Sequence, residues 1–242
     1  MFRIDTSQRT DEIEIMDDFG LKGYELKKTL EDLDNINTWL GGNQVTVNGG
    51  KKLLSGKKDD NIIRIADIGC GNGAMLRKLS NWGRKNDFKF ELIGIDANSY
   101  AIKIAEELSQ DDPQINFLNL NIFSEEFKSM EFDIILCTLT LHHFKDNQII
   151  ALLNQLVQQS KIGVVINDLH RSKLAYVLFK AFCAVFVNNE IARKDGLVSI
   201  LRGFKRKDLE IFKNKIAAKN HSIQWKWAFR YQWVIEKGQN NI

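Results

Sequence analysis

The sequence predicts an α/β protein built on a doubly wound, seven-stranded sheet, mostly parallel and closed by a C-terminal antiparallel hairpin. Three observations predict it. Between residues 62 and 167, short Ile-, Val- and Leu-rich runs alternate with amphipathic stretches. Runs that are apolar on both faces and separated by helices are strands buried in a parallel sheet between two helical layers. The first run meets a glycine loop, "DIGCGNGA". The chain closes on "HSIQWKWAFRYQWVIE", two β-type runs joined by a short turn, which makes the last strand antiparallel.

The N-terminus, Met1 to Glu14, is polar and acidic and lacks the apolar stretch of a signal peptide. Residues 11–40 read as helix, with Leu26, Leu30, Leu33, Ile36 and Leu40 on one apolar face. Gly49–Asp60 reads as a linker. Strands are expected at Ile62–Asp67, Phe88–Asp96, Ile115–Asn119, Phe132–Leu139, Ile162–Asn167, Ser222–Trp227 and Arg230–Ile235. Helices are expected at Ala74–Lys85, Ser99–Leu108 and Asn147–Gln158. This divides the chain into an N-terminal helical cap, 1–58, and a domain, 59–242, with a helical lid inserted at about 171–205.

A chain of 242 residues, 44% hydrophobic, suffices for one α/β domain with accessory helices. Three scattered cysteines fit a reducing cytoplasm, and four histidines without partner cysteines leave no metal expected. The net charge of +3 hides an asymmetry, because residues 171–242 hold fifteen Lys and Arg against five Asp and Glu. That third is either a solvated face or one turned toward anionic lipid or nucleic acid.

Gly69, Gly71 and Ala74 satisfy the dinucleotide pattern G-x-G-x-x-[G/A]. Asp67 argues against a dinucleotide. A carboxylate at the end of the strand repels a pyrophosphate and suits a cationic amino group. Gly73 adds a third flexible point, and the terminal hairpin is foreign to a simple dinucleotide fold.

"ADIGCGNGAM" resembles the first motif of the class I methyltransferases that use S-adenosylmethionine (SAM), and "LIGIDANSYAI" their second. "NLNIF" resembles the third motif and "FDIILCTLTLHHF" the fourth, at the rim where methyl donor and acceptor meet. The resemblance covers residues 60–170 and the closing hairpin. It implies a Rossmann-like fold, SAM as cofactor and S-adenosylhomocysteine (SAH) as product. The implied cofactor residues are Asp67, Gly69, Cys70, Gly71, Asn72 and Gly73 in the first motif, and Asp96 and Ala97 in the second. Asn121 and Ile122 follow in the third, and Cys137 and Thr138 in the fourth. Asp96 would accept the ribose hydroxyls, with a helix N-cap as its alternative role. Asn121 stands where an Asp commonly bonds the adenine amine. Cys137 is either cofactor wall or core.

Methyl transfer requires alignment of the acceptor, exclusion of water and, for a hydroxyl acceptor, a base. The fourth motif is not the Asn/Asp-Pro-Pro-aromatic type used on exocyclic amines, because the only proline is Pro113. No Pro-Cys pair is present for covalent attack on a pyrimidine. The rim offers His142 and His143, which point different ways. An imidazole of pKa about 6.5 can take the proton of a phenol of pKa about 10 as the methyl transfers. His143 is the favoured base, His142 the second, and His170 a further candidate. Packing roles are the alternative for all three. Asp168 either orients a histidine or caps the next helix, and His221 is expected to be inert.

Ser172–Val187, "SKLAYVLFKAFCAVFV", is apolar apart from Lys173 and Lys180, and too short for a bilayer span of about 20 apolar residues. It packs in the core or a homodimer, walls a pocket for a greasy acceptor, or lies on the inner membrane surface. "IARKDGLVSILRGFKRKDLEIF", with "EIMDD", "NTWLGG" and "IQWKWAFRY", resembles methyltransferases associated with bacterial type III polyketide synthases. That resemblance implies O-methylation of a phenolic or quinol hydroxyl on a hydrophobic aromatic small molecule. It also implies closure of the N-terminal helix and 171–205 over the pocket, with Trp39–Gly42 at the methionine end of SAM. Tyr176, Phe179 and Arg202 are the acceptor-side candidates, Arg202 alternatively pairing with an acid. A nucleic-acid methyltransferase is the rival reading, disfavoured because the basic residues interleave with apolar ones rather than with stacking aromatics. A non-catalytic SAM-binding protein would keep the same loop.

Overall fold

The computed structural model describes residues 4–18, 20–56, 61–218 and 220–238. Five parallel strands come first: β1 (Ile63–Ile68), β2 (Phe90–Asp96), β3 (Ile115–Asn119), β4 (Phe132–Thr138) and β5 (Ser160–Leu169). The hairpin of β6 (Asn220–Lys226) and β7 (Arg230–Glu236) follows, giving the order β3-β2-β1-β4-β5-β7-β6. β7 lies antiparallel between β5 and β6, as the short turn dictates. The order reverses between β1 and β4, so a crevice opens beyond their carboxyl ends.

Helices cover both faces: α1 (Gly23–Trp39), α2 (Gly42–Leu54), α3 (Ala74–Lys85), α4 (Ser99–Leu108), α5 (Glu125–Lys128), α6 (Asp146–Gln159), α7 (Lys173–Phe186), α8 (Glu190–Arg202) and α9 (Arg206–Lys213). Side chains alternate across the strands, so the sheet feeds two cores. One gathers Ile68, Phe132, Leu152 and Trp233. The other gathers Ile65, Leu76, Leu92 and Val165. Among the described residues no helix is long and apolar enough to cross a membrane.

Two expectations need correction. Residues 11–40 are not one helix: a 3-10 turn at Ile15–Asp17 is separated from α1. Nor is Gly49–Leu54 linker, because it is the second half of α2; Lys57–Asp60 lie outside the described residues. Glycines weaken helix propensity, so the sequence pattern hides this helix. Tertiary contact overrides propensity here. Val47, Leu53 and Leu54 share a core with β1, β4 and β5, and a Cβ on Gly49 would strike the Val165 side chain. Gly49→Val should therefore destabilise the fold by about 1–3 kcal/mol through overpacking, read as a lower denaturant midpoint. An unchanged midpoint would mean that α2 does not press on the sheet.

Candidate active site

β1 and β2 deliver the glycine loop and the first two carboxylates. Gly69, Gly71 and Gly73 all take positive φ, and Gly73 starts α3 from the left-handed region. The Gly69 N–H donates to Ile95 O at 2.8 Å, and a Cβ on Gly69 would strike Thr140. Asp96 Oδ2 accepts the Gly71 N–H at 2.9 Å, and its Oδ1 accepts the Asn98 N–H at 2.9 Å. Asn98, not Asp96, caps α4 by accepting from Tyr100 and Ala101. Burial pushes the Asp96 carboxyl up in spite of its backbone donors. Asp67 is buried, its Oδ1 meets no donor among the described residues, and burial with the nearby Asp96 pushes it up to about 8.

A cavity of about 790 Å³ opens over these groups. Asp67, Gly69, Cys70, Gly71 and Asn72 line it, as do Asp96, Ala97, Asn121, Ile122 and Thr138. Asn121 Oδ1 accepts the Phe123 N–H at 2.9 Å, and Thr138 Oγ1 lies 2.9 Å from Thr46 Oγ1. Two expectations are corrected. Gly73 sets the loop conformation without lining the cavity. Cys137, which alternates with Thr138 along β4, faces the core and is fully buried there.

His142 and His143 both border the cavity and divide sharply in environment. His142 is 2% exposed and lies between two carboxylates. Its Nδ1 is 2.7 Å from Asp168 Oδ1, and its Nε2 is 3.4 Å from Glu14 Oε1. Asp168 Oδ2 also accepts the His142 N–H at 3.1 Å. Burial opposes the charge on His142, but Asp168 and Glu14 outweigh it and hold the imidazole up to about 9. A protonated imidazole is no base, so the candidacy of His142 fails at neutral pH. Of the two roles left open for Asp168, the structure shows the first, and Ser172 caps α7.

His142 is raised on folding, from 6.5 to about 9. Its stabilising contribution is therefore complete below the unfolded value and is lost as pH rises through about 9. His142→Asn should flatten the decline in melting temperature across that alkaline window. An identical decline in wild type and variant would refute the buried ion pairs.

His143 is more open, with 26% of its side chain exposed. Its Nδ1 lies 2.7 Å from Asp17 Oδ1. Burial raises the Asp17 carboxyl, but His143 and Arg202 hold it far below the usual carboxylate range. Arg202 is a brace and not an acceptor residue. It does not line the cavity; it donates to Asp17 Oδ2 at 2.5 Å and to the His143 carbonyl at 2.7 Å. Among the described residues Glu14, His142 and His143 are grouped closely enough to ligate a metal. Glu14 Oε1 and His142 Nε2 meet no hydrogen-bond partner among the described residues, Arg202 Nη1 is 3.6 Å from Glu14 Oε1, and Asp17 holds His143 Nδ1.

His170 is displaced from the site. Its N–H donates to Phe229 O, its Nδ1 accepts from Trp225 Nε1 at 3.3 Å, and it does not line the cavity. His221 lies on β6, where its Nδ1 accepts from Trp233 Nε1 at 3.1 Å. The inner face of α7 supplies Leu178, Phe179 and Phe182 to the cavity, opposite Leu33 and Leu40 of the N-terminal helix region. Tyr176 falls outside it. The outer face leaves Leu174, Val177, Val185 and Phe186 more than half exposed.

The sequence reading assigned no role to Glu14, Asp17, Asn37 or Arg230, all of which line the cavity. "EIMDD" and "NTWLGG" stood out as motifs, but nothing local links them to the histidines. Asp195 makes the link by accepting the Ile15 and Met16 N–H groups at 2.8 Å, which pins the N-terminal turn over the rim.

Residues 65–163 match a family model described as a methyltransferase domain. The chain is 30% identical over 131 residues to the ubiquinone biosynthesis O-methyltransferase of Rickettsia canadensis, covering 53% of this chain and 52% of that protein. It is 34% identical over 75 residues to the protein-lysine N-methyltransferase EFM4 of Saccharomyces cerevisiae, covering 30% of this chain and 31% of that protein. The matched stretch thus spans about half, or less, of the length of these curated relatives. Among solved structures, the plantazolicin methyltransferase BpumL in complex with SAH superposes with a TM-score of 0.64 at 19% identity, covering 88% of this chain and 90% of that one. The magnesium protoporphyrin IX methyltransferase of Synechocystis, with bound SAM, superposes with a TM-score of 0.53 at 13% identity, covering 81% and 80%. Residues 65–163 thus match a methyltransferase-domain model, and over most of its length the chain has the Rossmann-like fold of these methyltransferase structures.

Proposed function

We propose that this protein transfers the methyl group of SAM to a phenolic or quinol hydroxyl on a hydrophobic, polyketide- or lipid-like aromatic molecule, leaving SAH. One observation carries the reading: a single cavity joins the glycine loop and Asp96 to the Asp17–His143 pair and the apolar inner face of α7. The O-methyltransferase among the sequence relatives supports the same acceptor chemistry. The acceptor class favoured is the alkylated phenol of the kind made by type III polyketide synthases.

SAM supplies an electrophilic methyl on a sulfonium. Asp96 has lone pairs left for the ribose hydroxyls, and Asn121 faces the adenine. Asp67 meets the methionine ammonium, whose charge favours the ionised carboxylate. Asp17 Oδ1, 2.7 Å from His143 Nδ1, fixes that nitrogen as the donor and leaves Nε2 as the ring's proton acceptor. That nitrogen accepts the phenol proton while the O–CH3 bond forms and the S–CH3 bond breaks. Ionised Asp17 then stabilises the imidazolium, and the partly exposed ring returns the proton to solvent. His142, held between Asp168 and Glu14, packs with its ring centroid 4.3 Å from that of His143 and fixes the rim on which the base sits. The apolar residues of α7 exclude water and accommodate an alkyl tail.

The test is methyl transfer from radiolabelled SAM to resorcinols and quinols with and without alkyl tails, with bulk RNA alongside. Label on phenols, increasing with tail length, is the expected result. Label on RNA alone would replace this reading with the nucleic-acid one.

A further inference from the structure

Arg230 is a buried cation that the mechanism does not use. It opens β7, is 3% exposed and lines the cavity. Its Nη2 donates to Asn37 Oδ1 at 2.6 Å. Its Nε and Nη1 are buried and meet no acceptor among the described residues. Burial lowers its pKa only to about 10, so the guanidinium stays charged at neutral pH. A buried guanidinium is costly unless an anion matches it. Asp168 acts on it electrostatically, but its oxygens are committed to His142 Nδ1, the His142 N–H and the Leu169 N–H.

The N-terminus of α2 lies directly against this guanidinium. Gly41, in the left-handed region, precedes the helix and offers it no side-chain cap. A Cβ on Gly42 would fall 2.6 Å from Arg230 Cζ, so only glycine lets the guanidinium rest on the first turn. The Asn167 amide fixes that turn by donating to Gly42 O at 2.9 Å. Helix N-termini carry free N–H groups and a partial positive charge. The same cavity holds Asp67, with its own unpartnered oxygen. A cavity that sets an unmatched guanidinium beside an unpartnered carboxyl group suits a molecule that carries a carboxylate.

We propose that Arg230, oriented by Asn37 and seated on the N-terminus of α2, is a carboxylate-binding site within this cavity. Two sources share that chemistry: the methionine end of SAM, whose ammonium would meet Asp67, and a carboxylate on the aromatic acceptor. The proposal rests on the methyltransferase reading above.

The experiment uses the full chain and two adenosine ligands. SAH carries the amino-acid carboxylate and 5′-methylthioadenosine does not. Calorimetry on the wild type comes first; failure to bind either ligand would count against the cofactor reading itself, not against Arg230 alone. If Arg230 holds the cofactor carboxylate, Arg230→Gln weakens SAH binding about 10- to 100-fold and leaves methylthioadenosine unchanged. If it holds the acceptor carboxylate, SAH binding is unchanged and KM rises about as much for phenolic acids only. Asn37→Asp gives the guanidinium an anion of its own and should produce the same selective loss even if Arg230→Gln fails to fold. Wild-type affinity for SAH together with wild-type discrimination between acids and neutral phenols, in the folded variants, would overturn the proposal.

Discussion

His143→Ala lowers the rate of methyl transfer at neutral pH by about 10²–10⁴-fold, the usual contribution of a positioned general base, and leaves SAH affinity essentially unchanged. The imidazole borders the cavity at the turn after β4, while the residues proposed to hold the cofactor lie on β1, β2 and the segments that follow them and β3. The defect therefore falls on kcat. It also carries a pH signature. A phenol ionises unaided near pH 10, so the variant recovers toward the wild-type rate as pH approaches that value. Asp17→Asn keeps a side chain beside Nδ1 but removes the charge that stabilises the imidazolium, and gives an intermediate loss. Because the two residues act as a pair, the double variant is little worse than His143→Ala. Full activity of His143→Ala at neutral pH would remove the base and leave a site that works by proximity alone.

Asp96→Ala raises the dissociation constant of SAH by about 100-fold, the worth of losing charge-assisted bonds from two hydroxyls. The effect must be separated from damage to the fold. Burial pushes this carboxyl up, so its ionised form does not stabilise the ligand-free protein at neutral pH. Loss of the acceptor for the Gly71 and Asn98 N–H groups lowers the melting temperature of the ligand-free variant by itself, so the readout is the further rise that saturating SAH confers, which the variant loses. Asp96→Asn, which keeps an acceptor for the Gly71 N–H, falls between the two. An undiminished SAH-induced rise in Asp96→Ala would place the ribose elsewhere.

Strands, hairpin, glycine loop, Asp67 and Asp96 were legible in the sequence because each depends on neighbours a few residues away. The continuous apolar run along Phe132–Thr138 marks a strand buried on both faces, the loop glycines sit where the backbone turns through positive φ, and Asp96 ends its strand. The sequence could not say which of two adjacent histidines is buried and charged and which is open. It placed His170 and Cys137 beside the site, and they lie outside it. Those outcomes depend on partners far along the chain. Asp17 reaches His143 across 126 residues, Asp168 fixes His142 from the next strand, Arg202 braces Asp17 across 185 and Asn37 meets Arg230 across 193. Periodicity and turn chemistry report only the local backbone and the face it buries. Electrostatic pairing between distant segments is set by how α1, α2 and α8 and the N-terminal turn pack over the sheet, and only the tertiary structure decided it.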